Sequence, residues 1–383
     1  MIKFSPTRLL ALSACSGTLL LAAPPLAQAA PKMIMGTMKN GNSMTMGTSS
    51  MAPRLKGKPD PQMAAVLNSL VSLKPKPLAK LKPSTARMQP TATAAVINLL
   101  KKQGRSTAPE PVASVTDRKV PGPAGAPDVT VRVYKPLNAP AGELPVIVYF
   151  HGGGFVIASV STYDSSCRAM ANLTKAVVVS VAYRYAPENR LPAAHEDSYA
   201  ATQYIMENTA KFGGDSRRVA VMGESAGGNL ATDMCLMAKM RGGKMPVHQM
   251  LIYPFVNNRV LPSHRAYYNA IPLGTPGVFW FLKWAAPTDK ATMMKIAPLA
   301  TPLYAPEAMF QGLPPATIIA AEIDPLQSEG QRYARKLMRN GIPVKYRLYP
   351  GVTHEFFGMG AVVDKAKFAN QFAASELKMA FAR

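Results

Sequence analysis

The chain reads as an α/β protein, with a mostly parallel sheet and helices on both faces. Two observations predict this. From residue 129 onward, short apolar runs alternate with longer segments of helical spacing, and parallel strands need such crossovers. One apolar run, Arg218–Met222, passes straight through Gly223-Glu224-Ser225-Ala226-Gly227 into the helical pattern Asn229–Ala238. That is a strand–turn–helix junction with a serine at its apex.

The elements follow in order. Lys3 and Arg8 precede an apolar stretch from Leu9 to Ala23, and Ala27-Gln28-Ala29 offers a small-x-small cleavage site. Residues 1–29 therefore read as a signal peptide, with a mature chain from Ala30 that is periplasmic or secreted. The apolar stretch ends at Pro24-Pro25 and is short for a membrane span. Residues 30–59 are rich in Gly, Ser, Thr, Asn, Lys and Met without periodicity and read as a disordered linker. Thioethers such as Met33, Met35 and Met38 can bind Cu(I), but no histidine accompanies them. Helical spacing begins at Pro61–Val71, after Asp60 as a start signal, and returns at Ala92–Lys102.

Residues 111–383 carry the alternation. Val129–Tyr134 and Leu144–Phe150 read as strands, Thr162–Thr174 as a helix, Ala176–Val181 as a strand and Ala193–Asn208 as a helix. Beyond the serine turn come strands at Met250–Tyr253 and Thr317–Ala321, a helix at Ser328–Asn340 stopped by Gly341, and a strand at Val344–Tyr349.

The serine turn predicts a nucleophile. A serine between small residues at so sharp a turn is held in a strained backbone with its hydroxyl above the sheet. Upstream, the strand Leu144–Phe150 runs into His151-Gly152-Gly153-Gly154-Phe155. Consecutive glycines let backbone N–H groups approach a ligand unobstructed. A phosphate cradle would end in Lys-Ser or Lys-Thr, and Phe155-Val156-Ile157 is apolar. The loop is better suited to an oxyanion, with Gly153, Gly154 and Ala226 as donors, each worth about 3–4 kcal/mol when a serine attacks a carbonyl.

A serine nucleophile needs a base and an orienting acid, which in this type of sheet follow it in the order acid, then histidine. Of five histidines, His151 and His195 precede Ser225. His248 opens an apolar strand, where a structural role fits better, and His264 has no strand directly before it. His354 sits just past the strand Val344–Tyr349, on the loop begun by Pro350-Gly351. Among the acids between Ser225 and His354, Asp233 lies within the helix after the turn, Asp289 and Glu307 fall in Pro-rich connections, and Glu329 is inside a helix. Glu322 and Asp324 end a strand. Asp324, past the strand end and held by Pro325, is preferred over Glu322 as the acid that fixes the tautomer of His354.

These motifs, taken together, resemble the hormone-sensitive-lipase-like (fold-3) branch of α/β-hydrolase esterases. The matching residues are His151-Gly152-Gly153-Gly154, Tyr183-Arg184-Tyr185-Ala186-Pro187-Glu188, Gly223-Glu224-Ser225-Ala226-Gly227-Gly228, Asp324-Pro325-Leu326 and His354. Ala182 and Tyr185 depart mildly from the family pattern. The resemblance covers about residues 60–383. It implies the α/β-hydrolase fold, an esterase with Ser225, Asp324 and His354 as its triad, and a helical cap. The cap would be built from residues 60–110 and from an insertion at about 258–312. That insertion carries Phe279-Trp280-Phe281-Leu282-Lys283-Trp284. Phe155, Trp280 and Trp284 are the candidates for walls of the substrate pocket. The expected reaction is hydrolysis of short to medium acyl esters through an acyl-enzyme, with no metal or organic cofactor. An amidase, peptidase or lactone hydrolase would use the same triad, and a basic exported binding protein would keep only the scaffold.

Composition sets wider bounds. At 383 residues and 48% hydrophobic the chain can bury a large core, and its length is normal for such a hydrolase with a cap. The net charge of +23 is concentrated early: from Lys32 to Arg105, Asp60 is the only acid. Such a field favours weak association with anionic surfaces, whereas no nucleic-acid-binding module is present. The partner implied is a small-molecule ester, and the motifs leave oligomeric state open. Of the three cysteines Cys15 falls in the signal peptide, and Cys167 and Cys235 are expected as buried free thiols on separate helices.

Overall fold

The structure is a computed structural model and describes residues 57–383. The predicted signal peptide and nearly all of the predicted linker, with its methionines, lie outside the described residues. In chain order the strands are β1 (Ser114–Val120), β2 (Val129–Lys135), β3 (Leu144–Phe150), β4 (Val177–Ala182), β5 (Gly214–Glu224), β6 (Gln249–Ile252), β7 (Ala316–Ile323) and β8 (Val344–Thr353). They form one eight-stranded sheet of order β1-β2-β4-β3-β5-β6-β7-β8. β2 runs antiparallel to both neighbours, and every other pairing is parallel.

The helices are α1 (Pro61–Ser72), α2 (Pro83–Ala86), α3 (Ala92–Lys102), α4 (Asp164–Thr174), α5 (Ala193–Glu207), α6 (Ala226–Arg241), α7 (Pro262–Ala266), α8 (Thr275–Ala285), α9 (Lys290–Ala300), α10 (Gln327–Arg339) and α11 (Asp364–Phe381). Side chains alternate across a strand, so β3 sends Val146, Val148 and Phe150 to one face and Ile147 and Tyr149 to the other. The first face is covered by α5, α6 and α10, with side chains of α8 and α9 joining the same core. The second is covered by α1, α3, α4 and α11. With both faces covered, the central strands read as unbroken apolar runs.

β3 and α3 coincide with the residues predicted for them. β1 and α11 were not foreseen. β1 is an edge strand whose Asp117, Arg118 and Lys119 are exposed, so it has little apolar alternation. α11 buries mainly small residues, Ala366, Ala369 and Ala373, while Phe368 faces out. Cys167 on α4 and Cys235 on α6 are buried free thiols in the cores of opposite faces.

Two segments frame the carboxyl ends of the central strands. α7, α8 and α9 occupy the connection between β6 and β7. The N-terminal segment contributes in a way the sequence did not indicate. α1 and α3 pack on the second face, and it is mainly their connection that reaches the strand ends. Arg87 anchors that connection. Its Nε donates to the Val156 carbonyl at 2.8 Å, its Nη2 donates to the Ala186 carbonyl at 2.9 Å, and its guanidinium grips Glu188 with both ends. Trp280 ties α8 to it through an indole N–H donated to the Leu81 carbonyl at 2.8 Å.

Candidate active site

Ser225 sits between β5 and α6 with φ 59° and ψ −118°, a conformation that costs a non-glycine residue about 1–3 kcal/mol. Close packing holds it there. A Cβ on Gly227 would lie 2.0 Å from the Phe150 carbonyl oxygen, and one on Gly223 would lie 2.0 Å from that of Gly227. The Ser225 N–H donates to the Ile252 carbonyl at 2.9 Å.

β8 runs to Thr353 and delivers His354 at its end, while β7 delivers Asp324 one residue past its own end. Ser225 Oγ lies 3.0 Å from His354 Nε2, and His354 Nδ1 lies 2.7 Å from Asp324 Oδ2. A carboxylate only accepts, so Asp324 fixes the proton on Nδ1 and leaves Nε2 free to accept from the serine. The other carboxylate oxygen of Asp324 accepts from the Leu326 N–H at 2.8 Å. All three side chains are buried. Burial alone disfavours the imidazolium of His354. The nearby carboxylates, Asp324 foremost and then Glu355 and Glu224, outweigh it and raise the pKa above its ordinary value.

The competing groups have other partners. Glu322 accepts the Gly351 N–H at 2.8 Å, Asp289 caps α9, and Asp233 pairs with His195 at 3.0 Å. Glu329 accepts the Val256 N–H at 2.8 Å. His248 meets the Thr317 hydroxyl, and His264 accepts the Leu261 N–H. His151 braces the glycine loop: its ring stacks on Tyr183, whose hydroxyl donates to the His151 carbonyl at 2.7 Å.

In the glycine loop Gly153 and Gly154 have φ of 101° and 59°, which only glycine adopts readily. Among the described residues, no acceptor pairs with the N–H groups of Gly153, Gly154 or Ala226. Buried or cleft-lining N–H groups rarely stay unpaired, so three of them beside Ser225 form a ready site for an oxygen anion.

Two cavities meet at Ser225. The smaller, about 360 Å³, is lined by Phe155, Ala226, Phe255, Val278, Phe281 and Leu282 among others. The larger, about 780 Å³, holds His354 and lies between the α1–α3 connection and residues 268–277. Gly154 and Phe281 line both. Phe155 lines the smaller cavity, whereas Trp280 and Trp284 line neither. Positions 278, 281, 282 and 285 form one stripe of α8 that faces the smaller cavity, whereas Trp280 and Trp284 share the neighbouring stripe and pack on each other.

A second layer of carboxyl groups escaped the sequence reading. Glu224, next to the serine, is buried and accepts from Tyr149 at 2.5 Å and from Tyr253. Burial first, and the charge of Glu355 second, push its carboxyl up to about 7. Glu355 follows His354 with φ 68° and accepts from Tyr163 at 2.6 Å. Its adjacency to His354 was the one available signal. Among the described residues, no group of three or more His, Cys, Asp or Glu is placed to hold a metal ion.

Residues 147–358 match a family model described as the alpha/beta hydrolase fold. A carboxylesterase of Mycobacterium tuberculosis, NlhH, is 39% identical over 277 residues, covering 72% of this chain and 86% of that protein. An ethyl acetate hydrolase of Pseudomonas putida is 34% identical over 241 residues, covering 62% and 74%. The hyperthermophilic esterase of the archaeon Pyrobaculum calidifontis superposes with a TM-score of 0.74 at 35% identity, covering 85% of this chain and 99% of that one.

Proposed function

Because this chain belongs to the α/β-hydrolase fold family and is a carboxylic-ester hydrolase, we propose that it works through Ser225, His354 and Asp324 by way of an acyl-enzyme. Ser225 Oγ attacks the ester carbonyl while His354 Nε2 takes its proton. The carbonyl oxygen becomes an anion and is held by the N–H groups of Gly153, Gly154 and Ala226. His354 passes the proton to the leaving alcohol. A water then repeats the attack on the acyl-enzyme and frees the acid. Asp324 orients the ring of His354 and stabilises the transient imidazolium. The observation that carries this reading is the buried line Oγ–Nε2, 3.0 Å, and Nδ1–Oδ2, 2.7 Å, with Ser225 and His354 lining the same cavity as Gly153 and Gly154.

The smaller cavity, largely apolar, fits a short to medium acyl chain, and the larger, more polar one fits the alcohol part. A series of p-nitrophenyl esters of rising acyl length tests this. The expected result is a kcat/KM maximum in the short to medium range that vanishes in Ser225→Ala. A maximum at long chains would contradict it.

We propose further that the protein works outside the cytoplasm, on the strength of its N-terminal sequence. Residues 1–29 act as a signal peptide, and the mature, periplasmic or secreted chain begins at Ala30. Sequencing the N-terminus of the protein recovered from its host tests this directly.

A further inference from the structure

The mouths of both cavities carry an unusual rim. Val71, Tyr268 and Ile271, which line the larger cavity, are 57%, 53% and 41% exposed. Met293 and Met294, which line the smaller one, are 44% and 68% exposed. Scattered exposed apolar residues are ordinary, but five gathered at the openings above one serine mark an interaction surface. Cations stand among them: Lys74 and Lys76 at the larger opening and Lys290 at the smaller, all exposed.

Carboxylates are almost missing there. Among the described residues, Glu355 is the only acid lining either cavity, and it is turned inward against Tyr163. The sequence from Pro61 to Arg105 has no acid at all. From Tyr267 to Ala300 the single acid is Asp289, whose side chain caps α9.

We propose that this rim docks the enzyme on an anionic lipid surface, so that its ester substrate enters from the lipid. Lys74, Lys76 and Lys290 face the headgroup phosphates, and Val71, Tyr268, Ile271, Met293 and Met294 enter the layer beneath. An acidic polysaccharide would engage the lysines and leave the apolar residues in water. A soluble anionic ester would need the lysines alone. The proposal rests on the ester-hydrolase reading, but it is tested by binding and not by turnover.

The full chain carrying Ser225→Ala is sedimented with vesicles of phosphatidylglycerol and, separately, of phosphatidylcholine. The account expects salt-sensitive binding to the first and weak binding to the second. It expects about a tenfold or greater loss for Lys74→Glu/Lys76→Glu/Lys290→Glu, and a comparable loss for Tyr268→Ser/Ile271→Ser/Met294→Ser. With Ser225 intact, turnover of a water-soluble short ester by each variant, at whatever rate, shows that it has folded. Should either fail to fold, Met294→Cys carrying an environment-sensitive dye replaces it, with a blue shift expected on phosphatidylglycerol. Unchanged binding in the variants, or no blue shift, overturns the proposal. So does loss with the lysine variant alone together with tight binding to heparin, which would indicate a polyanion site. If the ester-hydrolase reading itself were wrong, the unmodified protein would leave the soluble ester intact.

Discussion

Glu355 Oε1 lies 3.8 Å from His354 Nε2, the nitrogen that also faces Ser225 Oγ. Tyr163 holds the carboxyl in place, and the left-handed backbone at Glu355 turns it toward the site. A carboxylate at that distance favours the charged imidazole. It stabilises the imidazolium formed when serine gives up its proton, and it makes His354 harder to deprotonate in the free enzyme.

The pH profile follows from that pairing. His354 must be neutral to accept a proton, and its pKa lies above the ordinary value. Activity is therefore present above that pKa and lost as pH falls through it. The charged groups facing the ring are Asp324, Glu355 and, behind Tyr253, Glu224. Glu355→Gln removes one anion, so the acid limb of kcat/KM should move to lower pH. Glu355 and Glu224 are themselves raised by burial and influence each other, so the limb reports the group and not one residue. A limb that does not move in Glu355→Gln would show that this carboxyl has no hold on the base.

Asp324→Asn should lower kcat by about 10⁴-fold while leaving the protein folded. The amide cannot fix the Nδ1–H tautomer, although its oxygen can still accept from the Leu326 N–H. Stopped assays alongside thermal melting separate the two effects.

The glycine loop gives a sharper steric test. A Cβ on Gly154 would lie 2.2 Å from the Phe281 ring, at a φ of 59° that alanine resists. Gly154→Ala should displace the loop from the serine and cost about 10²–10³-fold in kcat, the usual loss of one oxyanion donor. Adding Phe281→Ala removes the ring from that contact but leaves the residue 281 Cβ at 2.8 Å and the backbone strain, so activity should return only in part.

Phe281 alone makes a prediction about substrate range. Its ring lines both cavities, and Phe281→Ala should join them. Relative kcat/KM should then shift toward longer or bulkier acyl groups. Each newly buried methylene is worth about 0.8 kcal/mol, several-fold in rate. An ester series compared between the two proteins reads this out.

Much of the fold was legible because burial on both faces writes strands such as β3 and β7 as continuous apolar runs. β1 was hidden because an edge strand with exposed Asp117, Arg118 and Lys119 has no apolar rhythm. α11 was hidden because its contact face is alanine while Phe368 points to water. At the site, chain order and strand-end position singled out Ser225, Asp324 and His354, and His354 lies within hydrogen-bond reach of each of the other two. The pocket wall was less accessible. The aromatic cluster on α8 has two candidate stripes, and only packing decides that Phe281 faces the serine while Trp280 turns to Leu81. Glu355 was hidden because its placement depends on a positive φ that no residue type announces.

The most direct test of the account is a covalent one. The protein is treated with a p-nitrophenyl alkylphosphonate, its intact mass is measured, and the modified peptide is sequenced. One adduct per chain is expected, on Ser225, with one equivalent of p-nitrophenol released. The adduct should be absent in Ser225→Ala and slow to form in His354→Ala. An adduct on another residue, or undiminished ester hydrolysis by Ser225→Ala, would contradict it.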